Sequence, residues 1–275
     1  MKKLIGIMAV GLLLFGFAGQ SMATTAASAG FFAAGDLIRV VYDTSYNALG
    51  VPTGGTYETA TDLGSVGSLT ALTATTVVGD NFTQFTNPAA YNTLQVAYFV
   101  ESGSITSSSS PLYIGSTSAT QPTPGSSAST LNGGMSNVLI TYGNATLLGT
   151  DSIQIKQSAT NSYWGIMDAS VPGSFSQFIG GGLGESGLAS LATGGNVQES
   201  LYGYYEGPGR GSNPITEGVL KMNNGQTLDV ETFVNGSGQG ESEIVVEGAP
   251  VPIPPSLLLL APGLFGLIGL RKKVR

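Results

Sequence analysis

The sequence predicts an all-β body, an antiparallel sandwich or jelly-roll-like fold with one or two short helices, flanked by an N-terminal signal helix and a C-terminal membrane helix. Three observations lead there. Between Thr24 and Pro250, short β-branched or aromatic stretches recur between clusters of Gly, Asn, Ser and Pro, the punctuation of strands and turns. No heptad repeat or 3.6-residue apolar stripe persists for long in that span. Glycine fills 41 of 275 positions, far above the usual globular share, so turns must be frequent.

In chain order, the first element is an address. Lys2-Lys3, an apolar run from Leu4 to Ala18, and Ser21-Met22-Ala23 with small residues at its first and third places form the three regions of a secretory signal peptide. Residues 1–23 are therefore expected to meet the secretion machinery and to be cut after Ala23 by signal peptidase. The exported domain, residues 24–250, offers candidate strands at Leu37–Tyr42, Thr93–Glu101, Val138–Tyr142, Ser152–Lys156, Tyr163–Met167, Leu201–Tyr205, Val219–Met222, Thr227–Val234 and Ser242–Val246. Ser174–Ile179 and Leu188–Ala192 are each expected to form a helical turn or two. Ser102–Gly134, with Ser107-Ser108-Ser109-Ser110 and Gln121-Pro122-Thr123-Pro124-Gly125, reads as a long loop inside one domain. No repeat at a fixed period is visible, which disfavours a β-helix or a propeller.

The last two strands read as a hairpin joined through Asn235–Gly240. Alternation places Asp229, Glu231 and Phe233 on one face, and on the return strand it groups Glu241, Glu243, Val245 and Glu247. Like charges directly opposite destabilise a strand pair, so a register shifted by one residue is expected to keep Glu231 away from Glu243. The acids read as protection of an exposed strand edge. A bound calcium would reverse the register preference, since hard cations want clustered carboxylate oxygens.

Residues 251–275 form the last segment. Val251-Pro252-Ile253-Pro254-Pro255-Ser256 precedes the apolar run Leu257–Leu270, and Arg271, Lys272, Lys273 and Arg275 close the chain. Fourteen helical residues at about 1.5 Å each span about 21 Å, short of a hydrocarbon core of about 30 Å but tolerable with local thinning. The basic cluster is a stop-transfer signal that holds the end of the chain in the cytoplasm. The prolines keep the preceding segment extended and free of hydrogen bonds, as a processing enzyme requires.

This tripartite tail resembles the PEP-CTERM sorting signal of bacterial envelope proteins, in a Val-Pro-x-Pro-Pro-Ser variant with Ile253 where the usual motif has glutamate. The resemblance covers Val251 to Arg275 and includes the Gly-interrupted Leu-rich run Leu264-Phe265-Gly266-Leu267-Ile268-Gly269-Leu270. It implies an exosortase, a membrane peptidase-transferase, that recognises Val251, Pro252, Pro254 and Pro255 and removes the helix and basic tail. It also implies association with exopolysaccharide and biofilm.

Composition excludes much else. With no Cys and no His, the chain has no disulfide, no Cys- or His-ligated metal and no histidine relay. Between the basic ends, four basic residues face seventeen acidic ones, a net of −13, so nucleic-acid binding is not expected. Gly182-Leu183-Gly184-Glu185-Ser186-Gly187, followed by Glu206, matches a dinucleotide-binding spacing but lacks a βαβ context and reads as a flexible loop. Tyr202 and Tyr204 share a strand face and, with Tyr205, Tyr163 and Trp164, are the aromatic candidates for stacking on sugars, although core packing is the preferred reading.

The expected function is thus a non-enzymatic envelope or extracellular-matrix protein, with no catalytic residue, cofactor or metal. It is held at the membrane by its C-terminal helix until processed, then lies at the cell surface or outside the cell, with polysaccharide as a candidate partner. Two rivals stand beside it. One is a carbohydrate- or calcium-dependent adhesin; the other is a secreted glycoside hydrolase using Asp229/Glu231 or Glu241/Glu243 as its acid and base.

Overall fold

The computed structural model describes residues 32–43, 57–82, 88–124, 127–147, 151–156, 162–167, 184–206 and 215–247. The signal segment with Ala23, the helical turn expected at Ser174–Ile179, and the whole tail lie outside the described residues. That places Val251, Pro252, Pro254, Pro255, Arg271, Lys272, Lys273 and Arg275 beyond them. Among the described residues, no helix is long and apolar enough to cross a membrane.

The chain forms a curled antiparallel sheet with few helices. Its elements are β1 (Asp36–Asp43), β2 (Tyr57–Ser65), α1 (Val66–Thr70), β3 (Thr76–Val78), β4 (Leu94–Val100), β5 (Leu112–Ser116), α2 (Ala128–Gly143), β6 (Thr146–Leu147), β7 (Ser152–Lys156), α3 (Tyr163–Met167), β8 (Ser186–Gly187), β9 (Val197–Tyr205), β10 (Ile215–Val219), β11 (Asp229–Val234) and β12 (Gly240–Val245). Along the sheet the order is β3-β12-β11-β9-β5-β4-β1-β2-β7-β6, with β10 added beside β9 and β8 beside β4. Strands from both sides of Ser102–Gly134 lie in this one sheet.

Period-2 alternation sorts the side chains onto two apolar faces. Leu37 and Val41 of β1 and Leu94, Val96, Tyr98 and Val100 of β4 point inward, against Leu201, Val230 and Ile244. Ile38, Val40, Tyr42, Ala97 and Phe99 point outward, beneath α2 and α3. Central strands buried on both faces explain the near-continuous apolar text of β1 and β4.

Polar contacts inside the curl join strands far apart in the sheet order. Arg39 on β1 donates to Ser242 on β12 at 3.0 Å, to Thr61 on β2 at 2.9 Å, and to the Asp80 carbonyl just after β3. The Tyr98 hydroxyl on β4 bridges Thr232 and Ser242, each at 2.6 Å. The two ends of the sheet also meet, because the Asp151 amide before β7 donates to Asp80 Oδ2 at 2.7 Å. Gly79 (φ +69°) permits this approach: a Cβ there would strike Thr61 and Leu63 of β2.

Three expectations are corrected. Val138–Tyr142, read as a strand for its β-branched residues, is the last part of α2. There Ala128, Leu131, Met135, Val138 and Tyr142 make a helical stripe that packs onto the outer sheet face. Ser127 caps that helix by accepting from the Thr130 amide at 3.2 Å. Tyr163–Met167, also read as a strand, is helix α3. Its start is capped from 105 residues away, by Glu58 on β2 accepting the Tyr163 amide at 2.7 Å, with the Trp164 amide at 2.9 Å. Ser102–Gly134 is not one long loop, since it contains β5, a central strand, and the first turns of α2. In addition, the strand expected over Val219–Met222 ends at Val219, with only a bridge from Lys221 to Thr227 beyond it. Leu188–Ala192 matches a 3-10 turn at Ala189–Thr193.

Candidate functional site

The site with the most unusual chemistry arises where the sheet forks. One edge of β4 is shared: Phe99 and Val100 pair with Ile114 and Tyr113 of β5, whereas Gln95 and Val96 pair with Gly187 and Ser186 of β8. Beyond Gly115, β5 diverges from β4 while keeping its register with β9. The gap between β5 and β8 opens into a groove of about 450 Å³, lined by Thr117, Glu185, Ser186, Gly187, Asn196, Val197 and Gln198.

Glu199 of β9 lies under this fork. Alternation along β9 points Val197, Glu199 and Leu201 to the inner face, so a carboxyl occupies a core position. Its side chain fills the space over Gly115, where a Cβ would overlap Glu199 Oε2 and stand 3.2 Å from the Tyr98 Cβ. A side chain at Gly115 would therefore displace the Glu199 carboxyl. The Gly115 carbonyl accepts the Gly184 amide at 2.9 Å, which lays the Gly184–Ser186 segment over the same spot.

Glu199 is fully buried, and neither carboxyl oxygen has a hydrogen-bond partner among the described residues. The buried Ser186 hydroxyl also lacks one. Burial pushes the Glu199 carboxyl up to about 8; the adjacent Ser186 hydroxyl offsets part of this, and the nearby Glu185 charge adds to it. The Tyr42 hydroxyl, from the outer core, donates to Glu185 Oε2. The groove lining thus presents one carboxyl group, Glu185, with hydroxyls and amides and no basic residue, while Glu199 is buried beside it. Such a surface suits cations or polyhydroxylated molecules and disfavours anions.

The hairpin acids form a second feature, and their arrangement corrects the expected register. Glu231 stands directly opposite Glu243, and Phe233 opposite Glu241, with no one-residue shift. Neutral partners make this tolerable: Asn196 donates to Glu231 and Asn235 to Glu241, each at 2.6 Å, while Ser200 and Gln198 donate to Asp229 at 2.6 and 3.0 Å. Partial burial, then the Glu231 and Glu241 charges, raise the Glu243 carboxyl. Nor is β12 an edge, because β3 pairs along Ser242–Ile244. An open groove of about 400 Å³ runs over this ledge and shares Asn196 with the fork groove. Among the described residues no group of three or more acids is placed to hold a metal ion.

The remaining sequence candidates have structural places. Tyr202 and Tyr204 are buried in the outer core, their hydroxyls donating to the Ser118 and Pro122 carbonyls at 2.7 and 2.8 Å. Tyr163 and Trp164 are buried in α3. None of these four offers an open stacking platform. Of the glycine-rich motif, Ser186-Gly187 forms β8 and pairs with β4 rather than opening a helix. Sequence reasoning missed Glu199 and took Glu185 and Ser186 only as part of a chance motif. The available signal was an acid at an inward position of the pattern Val197-Gln198-Glu199-Ser200-Leu201. Comparison with protein-family models, with curated proteins and with solved structures finds no match for this chain.

Proposed function

We propose that this chain is an exported envelope or extracellular-matrix protein, associated with exopolysaccharide and delivered by the two signals at its ends. Signal peptidase cleaves after Ala23, and the body, a sandwich-like β domain, lies outside the inner membrane. The Leu257–Leu270 helix and the basic tail hold it there until an exosortase-like enzyme acts at Val251, Pro252, Pro254 and Pro255. The observation that carries this reading is the order of proline motif, short apolar run and basic cluster at the end of a chain that begins with a signal-peptide pattern. The body supports it in chemistry: it is acidic, lacks cysteine and histidine, and its last strand among the described residues ends at Val245, shortly before the proline motif.

The test is replacement of Pro252, Pro254 and Pro255 by alanine in the producing cell. The substituted protein is expected to stay in the membrane fraction at the size of the unprocessed tail, while the parent loses the tail. Equal processing of both removes the proline motif from the account. A second reading, a carbohydrate- or calcium-dependent adhesin, draws on the acidic ledge and its groove; binding on a glycan array that survives EDTA would favour the carbohydrate form.

A further inference from the structure

We propose that the groove between β8 and β9 is a strand-addition slot that takes up an extended segment of a partner protein, one bearing Lys or Arg at alternate positions. Backbone alternation fixes what the two walls present. The Leu188 amide donates to the Leu94 carbonyl, and Ser186 pairs with Val96 in the same ladder. The intervening Gly187 therefore turns its N–H and C=O away from β4 and toward the groove that it lines. On the opposite wall, the Leu201 carbonyl accepts the Leu220 amide on the β10 side of β9. Glu199 and Val197 share that side and pair with β11, whereas Ser200 and Gln198 face the β5 side. β5 covers Ser200 with Ser116 and ends there, so the main chain of Gln198 also faces the groove. Among the described residues, no strand pairs with Gly187 or Gln198 on that side. Asn196–Gln198 give a wall of about 10 Å, enough for about three extended residues.

Unpaired edges on both walls of one groove match the chemistry of strand addition, in which main-chain hydrogen bonds supply affinity and side chains select the partner. Charge makes the selection. Gln198, Glu231 and Glu243 lie on the outer side of the sheet, since their neighbours Val197, Val230 and Ile244 belong to the inner core. Glu185 lies on the same side, where it accepts from Tyr42 of the outer core. The fork groove and the ledge groove share Asn196, and their linings carry Glu185, Glu231 and Glu243 with no Lys or Arg.

The rest of the body is acidic as well, so an acidic segment or the body of a second copy is repelled. Basic side chains at the outward positions of an inserted strand fall among these carboxylates. At inward positions the strand meets Val197 and the buried Ser186, so small side chains fit there. This inference stands apart from the sorting reading, since it concerns the folded body wherever it is delivered.

The test uses the protein recovered from its cells and the end-blocked heptapeptide Ala-Lys-Ala-Lys-Ala-Lys-Ala, labelled with fluorescein and followed by anisotropy. Saturable binding of one peptide per chain is expected below about 1 mM, weakening severalfold as NaCl rises from about 20 to about 300 mM. The glutamate counterpart is expected to bind at least about tenfold more weakly. So is the lysine peptide N-methylated at its internal residues, which keeps the charge and loses the main-chain donors. Glu185→Gln is expected to weaken binding severalfold. Gly187→Pro is expected to weaken it about tenfold, because it removes the N–H that faces the groove and spares the β4 ladder. There is room for that change, as a Cβ at Gly187 meets only the Gln95 side chain, at 3.8 Å. Glu217→Gln, on β10 beside the other half of β9, is expected to leave binding unchanged. Circular dichroism checks that each variant is folded; if Gly187→Pro is not, the N-methylated peptide decides. Absence of saturable binding overturns the proposal, as does parental binding by folded Gly187→Pro or equal binding of the N-methylated or glutamate peptide. A protein that dimerises and takes up no peptide, seen by light scattering, also overturns it and assigns the groove to a second copy.

Discussion

Arg39 shows how much of the curl depends on single side chains. Its guanidinium is fully buried, lies 4.4 Å from the centre of the Phe82 ring, and links β1 to β2, β12 and the turn after β3. Burial lowers its pKa to about 10, so it stays charged at neutral pH, aided by the Asp80 and Glu241 carboxylates. Arg39→Ala is expected to destabilise the fold by about 3 kcal/mol or more, seen as a lower urea midpoint with unchanged slope. Glu58, Asp62 and Glu199 carry the opposite problem, because burial raises them to about 7, 6 and 8. The folded chain thus keeps protons that the unfolded chain loses above the ordinary carboxylate range. Stability falls as pH rises from about 4.5 to 8, at no more than about 1.4 kcal/mol per pH unit for each group. Melting in EDTA should therefore be highest near the acid end of that window, and Glu199→Gln should flatten the decline between pH 6 and 8. A parallel decline in parent and variant would remove Glu199 as the cause. The ledge acids were legible from alternation, whereas the fork was not. The Gly184–Ser186 segment lies over Gly115, beside Glu199, only because β4 accepts two different partners along one edge.

At the scale of elements, long-range pairing decided what local text did not. β1, β4, β7, β9, β11 and β12 were each legible as whole or partial strands because their β-branched and aromatic residues fit a pleated surface. α2 was not, because Val138, Ile140 and Thr141 favour a strand locally, while its stripe is built from scattered Leu, Met, Val and Tyr. Leu131→Ala on that stripe is expected to cost about 2–5 kcal/mol. On the exposed side, Ile140→Lys should change stability by no more than about 0.5 kcal/mol. Denaturation of the two variants side by side checks the helix and its orientation; equal losses would contradict it. α3 was misread for a different reason. Ser162 caps it locally, accepting the Gly165 amide at 2.9 Å, but five residues are too few to show a helical period, and Glu58, which accepts the Tyr163 and Trp164 amides, lies on another element.

For the whole molecule, charge and hydropathy are arranged by position along the chain. An acidic β-rich body sits between a basic-then-apolar beginning and an apolar-then-basic end, and the resemblance of the tail to a sorting signal gives that symmetry a use. The curled sheet and its two cores are the body that would be carried, with strands on each side of the serine-rich stretch woven together. The most direct check is the intact mass of the protein recovered from its own cells. The account predicts a chain that starts at Thr24 and stops within Val251–Ser256, whereas a product running from Met1 to Arg275 in the cytosol would contradict it.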